Sequence, residues 1–211
     1  MSSTNVNLQE LRKQHADVAL MHPHDLARKL IDLAHSYDPK RDIEGRPAEL
    51  VYADRIENWV VKLAPKAPAI LRLAARCQHL ERWETPRDSF PAGKVGYLTW
   101  RRFLYVKQAE RAAELLREAG VSQAEIDDAS LWISKTDLKS NAGTQALEDA
   151  AILVFLENEI GTFVAQHDYP REKFIDILRK SWRKLSAEGQ AAAGTLDLPE
   201  SIASLVGEAL G

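Results

Sequence analysis

Two groups of residues in this chain have types and spacings suited to chemistry. Arg72, Arg76, His79 and Trp83 recur at spacings of four, three and four, so a continuous helix would align them on one stripe with Arg82 at its flank. The stretch runs on through Arg87, Lys94, Arg101 and Arg102, with Trp83, Phe90, Tyr97 and Trp100 between the charges. Such interleaving suits a ligand carrying phosphate and a ring, such as a nucleotide, because guanidinium groups grip phosphate bidentately while rings stack. The second group is Gln145, Glu148 and Asp149, just before an all-apolar run at 150–156. A carboxylate turned inward there needs a cation, a metal or several donors, since leaving water costs on the order of several kcal/mol. Two readings stay open. In one, His79 is a general acid/base or a metal ligand, and Glu148 or Asp149 orients it or binds a divalent ion. The substrate is then held by Arg76, Arg82, Trp83, Arg87, Tyr97, Trp100, Arg101 and Gln145. In the other, the same residues form a buried ion network in a non-catalytic ligand-binding or protein-interaction module.

Other chemistry finds less support. Cys77 has Leu73, Ala74 and Leu80 at helical spacings and reads as core; as the single cysteine, it excludes an internal disulfide and a cysteine-rich zinc site. The pairs His24-Asp25 and His167-Asp168 lie beside prolines and read as caps or surface residues. No glycine-rich phosphate loop and no Gly-x-Ser-x-Gly elbow is present. Lys184-Leu185-Ser186 is similar to the lysine loop of class I aminoacyl-tRNA synthetases, but the second lysine, the histidine motif and the alternating strands are missing.

The elements that must position these groups are helical. Leu26, Leu30 and Leu33 have helical spacing, as do Leu50, Val51, Ile56, Trp59, Val60 and Leu63. A third helix is expected from Pro68 through Trp83, then a loop at 84–96 rich in proline and glycine, of a length often tied to function. A fourth helix begins near Tyr97, and Ser122 with Glu125 forms a capping box for the next. The helix at 145–164 is apolar on all sides over part of its length and must be buried. No period-two pattern persists long enough for a strand. The expected fold is all-α, about seven helices around a central buried one: a loosely docked N-terminal extension at 1–24, a single domain at 25–198 and a terminal helix at 199–211. With 211 residues, 45% hydrophobic and 28% charged, the composition is that of an ordinary globular chain, and a formal charge of -3 excludes a globally basic nucleic-acid binder. No apolar stretch reaches the roughly 18 residues of a membrane span, so a cytoplasmic protein without a membrane partner is expected, with nucleic acid ranked last among partners.

Three stretches carry a family likeness: Ala48-Glu49-Leu50-Val51-Tyr52-Ala53-Asp54-Arg55, Ala75-Arg76-Cys77-Gln78-His79-Leu80-Glu81-Arg82-Trp83-Glu84-Thr85-Pro86-Arg87, and Gly96-Tyr97-Leu98-Thr99-Trp100-Arg101. With Gln145-Ala146-Leu147-Glu148-Asp149, Leu153-Val154-Phe155-Leu156-Glu157 and Ile177-Leu178-Arg179-Lys180-Ser181-Trp182-Arg183-Lys184-Leu185-Ser186, they resemble domain-of-unknown-function family 4202 over roughly 24–198. Some members carry a glutamyl-tRNA synthetase label; the family name supplies no reaction. The resemblance falls on polar positions, and implies that His79, Arg82, Arg87, Arg101, Gln145, Glu148 and Asp149 form one site. The chain departs from the pattern at Gln108, where a histidine is expected, and at Ser140, where an aspartate is expected. A more distant likeness is to the HD-type metal phosphohydrolases, which implies an HD-like fold and makes His79 and Asp149 ligands of a divalent metal. Tyr52 and Arg55 stand where that family's first histidine belongs.

Overall fold

The computed structural model describes residues 18–210 together with Gln9, Leu11 and Lys13. Most of the expected N-terminal extension lies outside them. Ten α-helices and no strand occur among the described residues. They are α1 (Pro23–Ser36), α2 (Ala48–Leu63), α3 (Ala69–Arg76), α4 (Gly93–Glu118), α5 (Gln123–Ile133), α6 (Ala142–Val154), α7 (Ile160–Gln166), α8 (Arg171–Trp182), α9 (Ala187–Ala193) and α10 (Glu200–Leu210). None is long and apolar enough to cross a membrane.

The all-α expectation holds, while the count exceeds seven for local reasons. The helix expected at 145–164 is α6 and α7 joined through a π turn, Phe155–Glu159. The supposed linker around Gly189 holds α9, because Ser186 caps it with Oγ accepting from the Gly189 N–H at 3.0 Å. The terminal helix α10 packs on α8 and buries Ile202, Leu205 and Ala209. Ser122 caps α5 as expected: its Oγ accepts from the Glu125 N–H and donates to the Glu125 carboxylate at 2.6 Å.

Helix α6 is the hub. It packs on α2, α5 and α9, and Leu147, Ala150, Leu153 and Val154 are wholly buried, as the apolar run requires. Helix α3 crosses α1, α2 and α5, and α4 runs along α5 and α1. Cys77 lies in this core, where burial pushes its thiol up to about 12, so it stays protonated and inert.

The expected third helix stops at Arg76 rather than Trp83. The Cys77 N–H reaches back to the Leu73 and Ala74 carbonyls, which tightens the last turn, and His79 and Glu81 then take left-handed φ values of 62° and 50°. The proposed stripe is thereby broken. Arg72 and Arg76 face one way, while His79 and Arg82 leave on a separate turn.

Arg76 is fully buried, with its guanidinium divided among three carboxylates: Asp32 of α1, and Asp54 at 2.8 Å and Glu57 at 2.9 Å, both of α2. Glu57 also receives both guanidinium nitrogens of Arg28 at 2.7 Å and Arg72 Nε at 3.0 Å. The His35 ring, wholly buried, donates from Nε2 to the Arg76 carbonyl at 2.7 Å, so α1 holds both ends of that residue. Burial alone would raise the Glu57 carboxyl, but the hydrogen bonds from Arg28 and Arg76 win and bring it to about 2, whereas burial wins at Asp32 and raises it.

Glu57 generates a pH prediction. Its folded value lies below its ordinary 4.5, so its contribution is complete above about pH 4.5 and is lost as pH falls toward about 2. In chemical denaturation, Glu57→Gln is expected to lower stability at pH 7 by about 3 kcal/mol and to flatten the acid limb over that window. An unchanged acid limb would remove Glu57 from the account.

Candidate anion-binding site

Each side chain of the candidate site is set by a local feature. Asp38, buried at the start of the α1–α2 connection, accepts from the Lys40 N–H at 2.9 Å and the Glu49 N–H at 2.8 Å, which fixes the first turn of α2 and so Glu49. Tyr52 follows one turn later on the same face. The residue 77–85 turn presents His79 and Arg82, and three tethers hold it on α4: Trp100 Nε1 to the Thr85 carbonyl at 2.9 Å, Lys107 Nζ to Glu84 at 3.2 Å, and Arg111 Nε to Glu81 at 3.1 Å. Helix α4 presents Tyr97, Arg101 and Tyr105 at intervals of one turn. Lys135 sits at φ 59° in the α5–α6 turn. Strained backbone of this kind persists only where the surroundings impose it, and two of the four left-handed non-glycine residues among the described residues belong to this site.

These side chains form a continuous chain of contacts. The His79 ring stacks on Tyr52, with centroids 4.0 Å apart and planes 5° from parallel. Its Nδ1 faces a Glu49 carboxylate oxygen at 3.1 Å, and Arg82 donates to its Nε2. The Arg82 guanidinium lies 4.9 Å over the Trp100 ring. Trp100 neighbours Tyr97, whose hydroxyl accepts from Arg101 at 3.3 Å, and Arg101 also donates to the Tyr105 hydroxyl. Lys135 lies 5.5 Å over Tyr105 and donates to Glu148, whose other oxygen accepts from Lys184 at 2.8 Å. Burial is the largest influence on His79 although a quarter of its side chain reaches water; with Arg82, Lys135 and Arg101 it holds the imidazole well below its ordinary value. The ring is therefore neutral at pH 7, with its proton on Nδ1 toward Glu49 and the Nε2 lone pair toward Arg82. Glu148 is brought to about 2, because Lys135 and Lys184 overcome its burial.

Of the expected site residues, His79, Arg82, Tyr97, Trp100, Arg101 and Glu148 come together here. Arg76 does not: its three carboxylates use its donors on another side of α3. Arg87 donates to the Phe90, Pro91 and Gly93 carbonyls and shapes the 84–96 loop. That loop is pinned where Gly96 meets Pro91, since a Cβ at Gly96 would stand 1.8 Å from the Pro91 carbonyl oxygen. Trp83 lies half-buried on the 3-10 turn Arg82–Glu84. Gln145 and Asp149 border the chain of contacts: Asp149 accepts from the Ser186 N–H at 2.9 Å, the Ser186 hydroxyl and Gln145 Nε2 at 2.7 Å, while Gln145 also donates to the Lys184 carbonyl. His79 and Asp149 thus have separate partners, and among the described residues no three His, Cys, Asp or Glu side chains are grouped to hold a metal ion. At the two departures from the family pattern, Gln108 is buried, with no partner for Nε2 among the described residues, and Ser140 is exposed.

Sequence reasoning missed Glu49, Tyr52, Tyr105, Lys135 and Lys184 as site residues. Tyr105 had a signal, standing one turn beyond Arg101 as Tyr97 stands one turn before it. Lys135 had none, because its placement comes from a left-handed turn on a distant helix pair.

The model of a family described as a domain of unknown function (DUF4202) matches residues 25–206. No curated protein and no solved structure matches the chain significantly.

Asp149 acts as a latch between α6 and the start of α9. Asp149→Ala is expected to cost about 3 kcal/mol in denaturant unfolding, because it leaves the half-buried Ser186 N–H and hydroxyl without their acceptor and takes one of two acceptors from Gln145. Gly189→Ala is expected to destabilise as well, since its Cβ would lie 2.8 Å from the Asp149 carboxyl carbon, and the two losses should be less than additive. A loss below about 1 kcal/mol for Asp149→Ala would refute the latch.

Proposed function

The chain belongs to that family, whose description names no reaction, and we propose that it binds a phosphorylated, nucleotide-like small molecule at the His79–Arg101 cluster and hydrolyses it. The observation that carries this reading is the state of two guanidinium groups. Arg82 and Arg101 are partly buried, and neither has a carboxylate within ion-pair distance among the described residues. Arg76 in the same chain meets three. Glu49 and Glu159 act on Arg82, and Glu148 on Arg101, only through longer-range attraction, so the direct ion-pair position on each guanidinium is open and a phosphate is a complementary occupant. Lys135 and Lys184 extend the positive field, Glu148 holds them in place, and the exposed ring of Tyr97 offers a face for a base.

In this mechanism His79 is the general base. Arg82 donates to its Nε2 in the free chain; a phosphate competes for that guanidinium and releases the lone pair toward water. Water attacks phosphorus, its proton passes to Nε2, the bond from phosphorus to the leaving oxygen breaks, and that oxygen takes a proton from solvent. Glu49 holds the ring and its tautomer by accepting from Nδ1. Arg76 and Asp149 favour the second reading, a structural ion network, because protein groups already use their bonding capacity.

Calorimetric titration with nucleotides and inorganic pyrophosphate, alongside a phosphate-release assay, tests the reading. Arg101→Gln is expected to weaken binding by at least about tenfold, as loss of a charged hydrogen-bond donor does. His79→Ala is expected to abolish turnover while melting like the parent. Full turnover by a folded His79→Ala protein would sink the catalytic role, and unchanged binding by Arg101→Gln would sink the site.

A further inference from the structure

The first turns of α4 stand clear of the rest of the molecule. Gly93, Lys94, Val95, Tyr97, Leu98 and Thr99 are all exposed, and between them only Gly96 is buried, against Pro91. Five of the ten large apolar side chains most open to water among the described residues lie here or one to two turns further along α4: Val95 at 79%, Tyr97, Leu98, Phe103 and Val106. Single exposed apolar residues are ordinary, but such a concentration on one helix marks an interaction surface.

Shape and charge indicate what covers it. At about 100° per residue, Val95 and Tyr97 lie on opposite sides of the helix, with Leu98 on the flank between them. A flat face of a folded partner covers one side of such a protruding end, whereas a fluid acyl layer surrounds it. No aspartate or glutamate occurs at 89–109, where Lys94, Arg101, Arg102 and Lys107 stand, although the formal charge of the whole chain is -3. Lys107 is engaged by Glu84 and Arg101 turns to the cluster, but Lys94 and Arg102 are exposed, with no ion-pair partner among the described residues. Lys94 adjoins Val95, and Arg102 stands one turn from both Leu98 and Val106. Apolar groups set among unpaired cations suit the boundary of an anionic bilayer, where the former enter the acyl region and the latter reach the headgroups.

We propose that the N-terminal part of α4 docks on an anionic lipid surface, with Val95, Leu98, Phe103 and Val106 in the acyl boundary and Lys94 and Arg102 at the headgroups. The lack of a stretch long enough to cross a bilayer concerns spanning and not this contact, so the expectation of no membrane partner gives way at this face. One short helix makes a weak, reversible contact. It does not require the anion-binding cluster.

Co-sedimentation of the full chain with vesicles of phosphatidylcholine, and of an equal mixture of phosphatidylcholine and phosphatidylserine, provides the test, with circular dichroism to establish that each variant folds. The parent is expected to pellet with the mixed vesicles and to stay in solution with the neutral ones. Leu98→Asp and Arg102→Glu should each weaken partitioning by at least about tenfold, and Arg101→Gln should weaken it less than either. Absence from both pellets would overturn the proposal and turn the search to a protein partner. Equal capture by neutral and mixed vesicles would overturn it too, as would a parent indifferent to Leu98→Asp. Loss with Arg101→Gln but not with Leu98→Asp would assign the headgroup to the cluster and overturn docking by α4.

Discussion

The buried guanidinium of Arg76 is the constraint on which the rest of the structure depends. A cation wholly removed from water must be met by negative charge, and Asp32, Asp54 and Glu57 supply it from two helices. Helices α1 and α2 are thereby drawn onto the C-terminal turn of α3, and His35 closes the arrangement through the Arg76 carbonyl. With that residue held at both backbone and side chain, the chain leaves the helix in a turn that contains two left-handed residues. His79 is the first of them. The stacking of its ring on Tyr52 of α2 and its contact with Glu49 follow from where α3 ends.

The same physics sets two groups of arginines apart. Arg76, Arg28 and Arg72 converge on carboxylates and join α1, α2 and α3, while Arg111 meets Glu81 and Glu114 and holds the 77–85 turn on α4. Arg82 and Arg101 meet a histidine, two tyrosine hydroxyls and aromatic faces instead. Neutral partners orient a guanidinium without cancelling its charge. The result is positive charge beside a neutral imidazole whose Nε2 is engaged by Arg82.

The acidic residues at the start of α6 show how closely structure and site are joined. Asp149 latches the start of α9, while Glu148, one residue earlier, ties Lys135 and Lys184 into the positive field. A single helix turn therefore serves both the packing of the C-terminal part and the electrostatics of the cluster. Past it, the π turn at Phe155–Glu159 shifts the register of the helix, so that Leu156 remains in the core while Glu157 reaches the indole nitrogen of Trp59 on α2.

By itself the sequence determined the helical class, the burial of most of the 150–156 run, where Ala151 and Phe155 are half-buried, and the capping box at Ser122, because these follow from local periodicity and residue chemistry. Arg82, Tyr97, Trp100 and Arg101 were legible since neighbours on one turn or one helix keep a fixed spatial relation. Only the tertiary structure decided which charges cancel. Arg76 and Arg82 are alike in type and six positions apart, yet one is consumed by three carboxylates and the other is left facing an imidazole. That outcome depends on the end of α3, on the approach of α2 and on the left-handed turn that carries Lys135. Pairing of charges across helices is a property of distance in space, and spacing along a chain does not encode it.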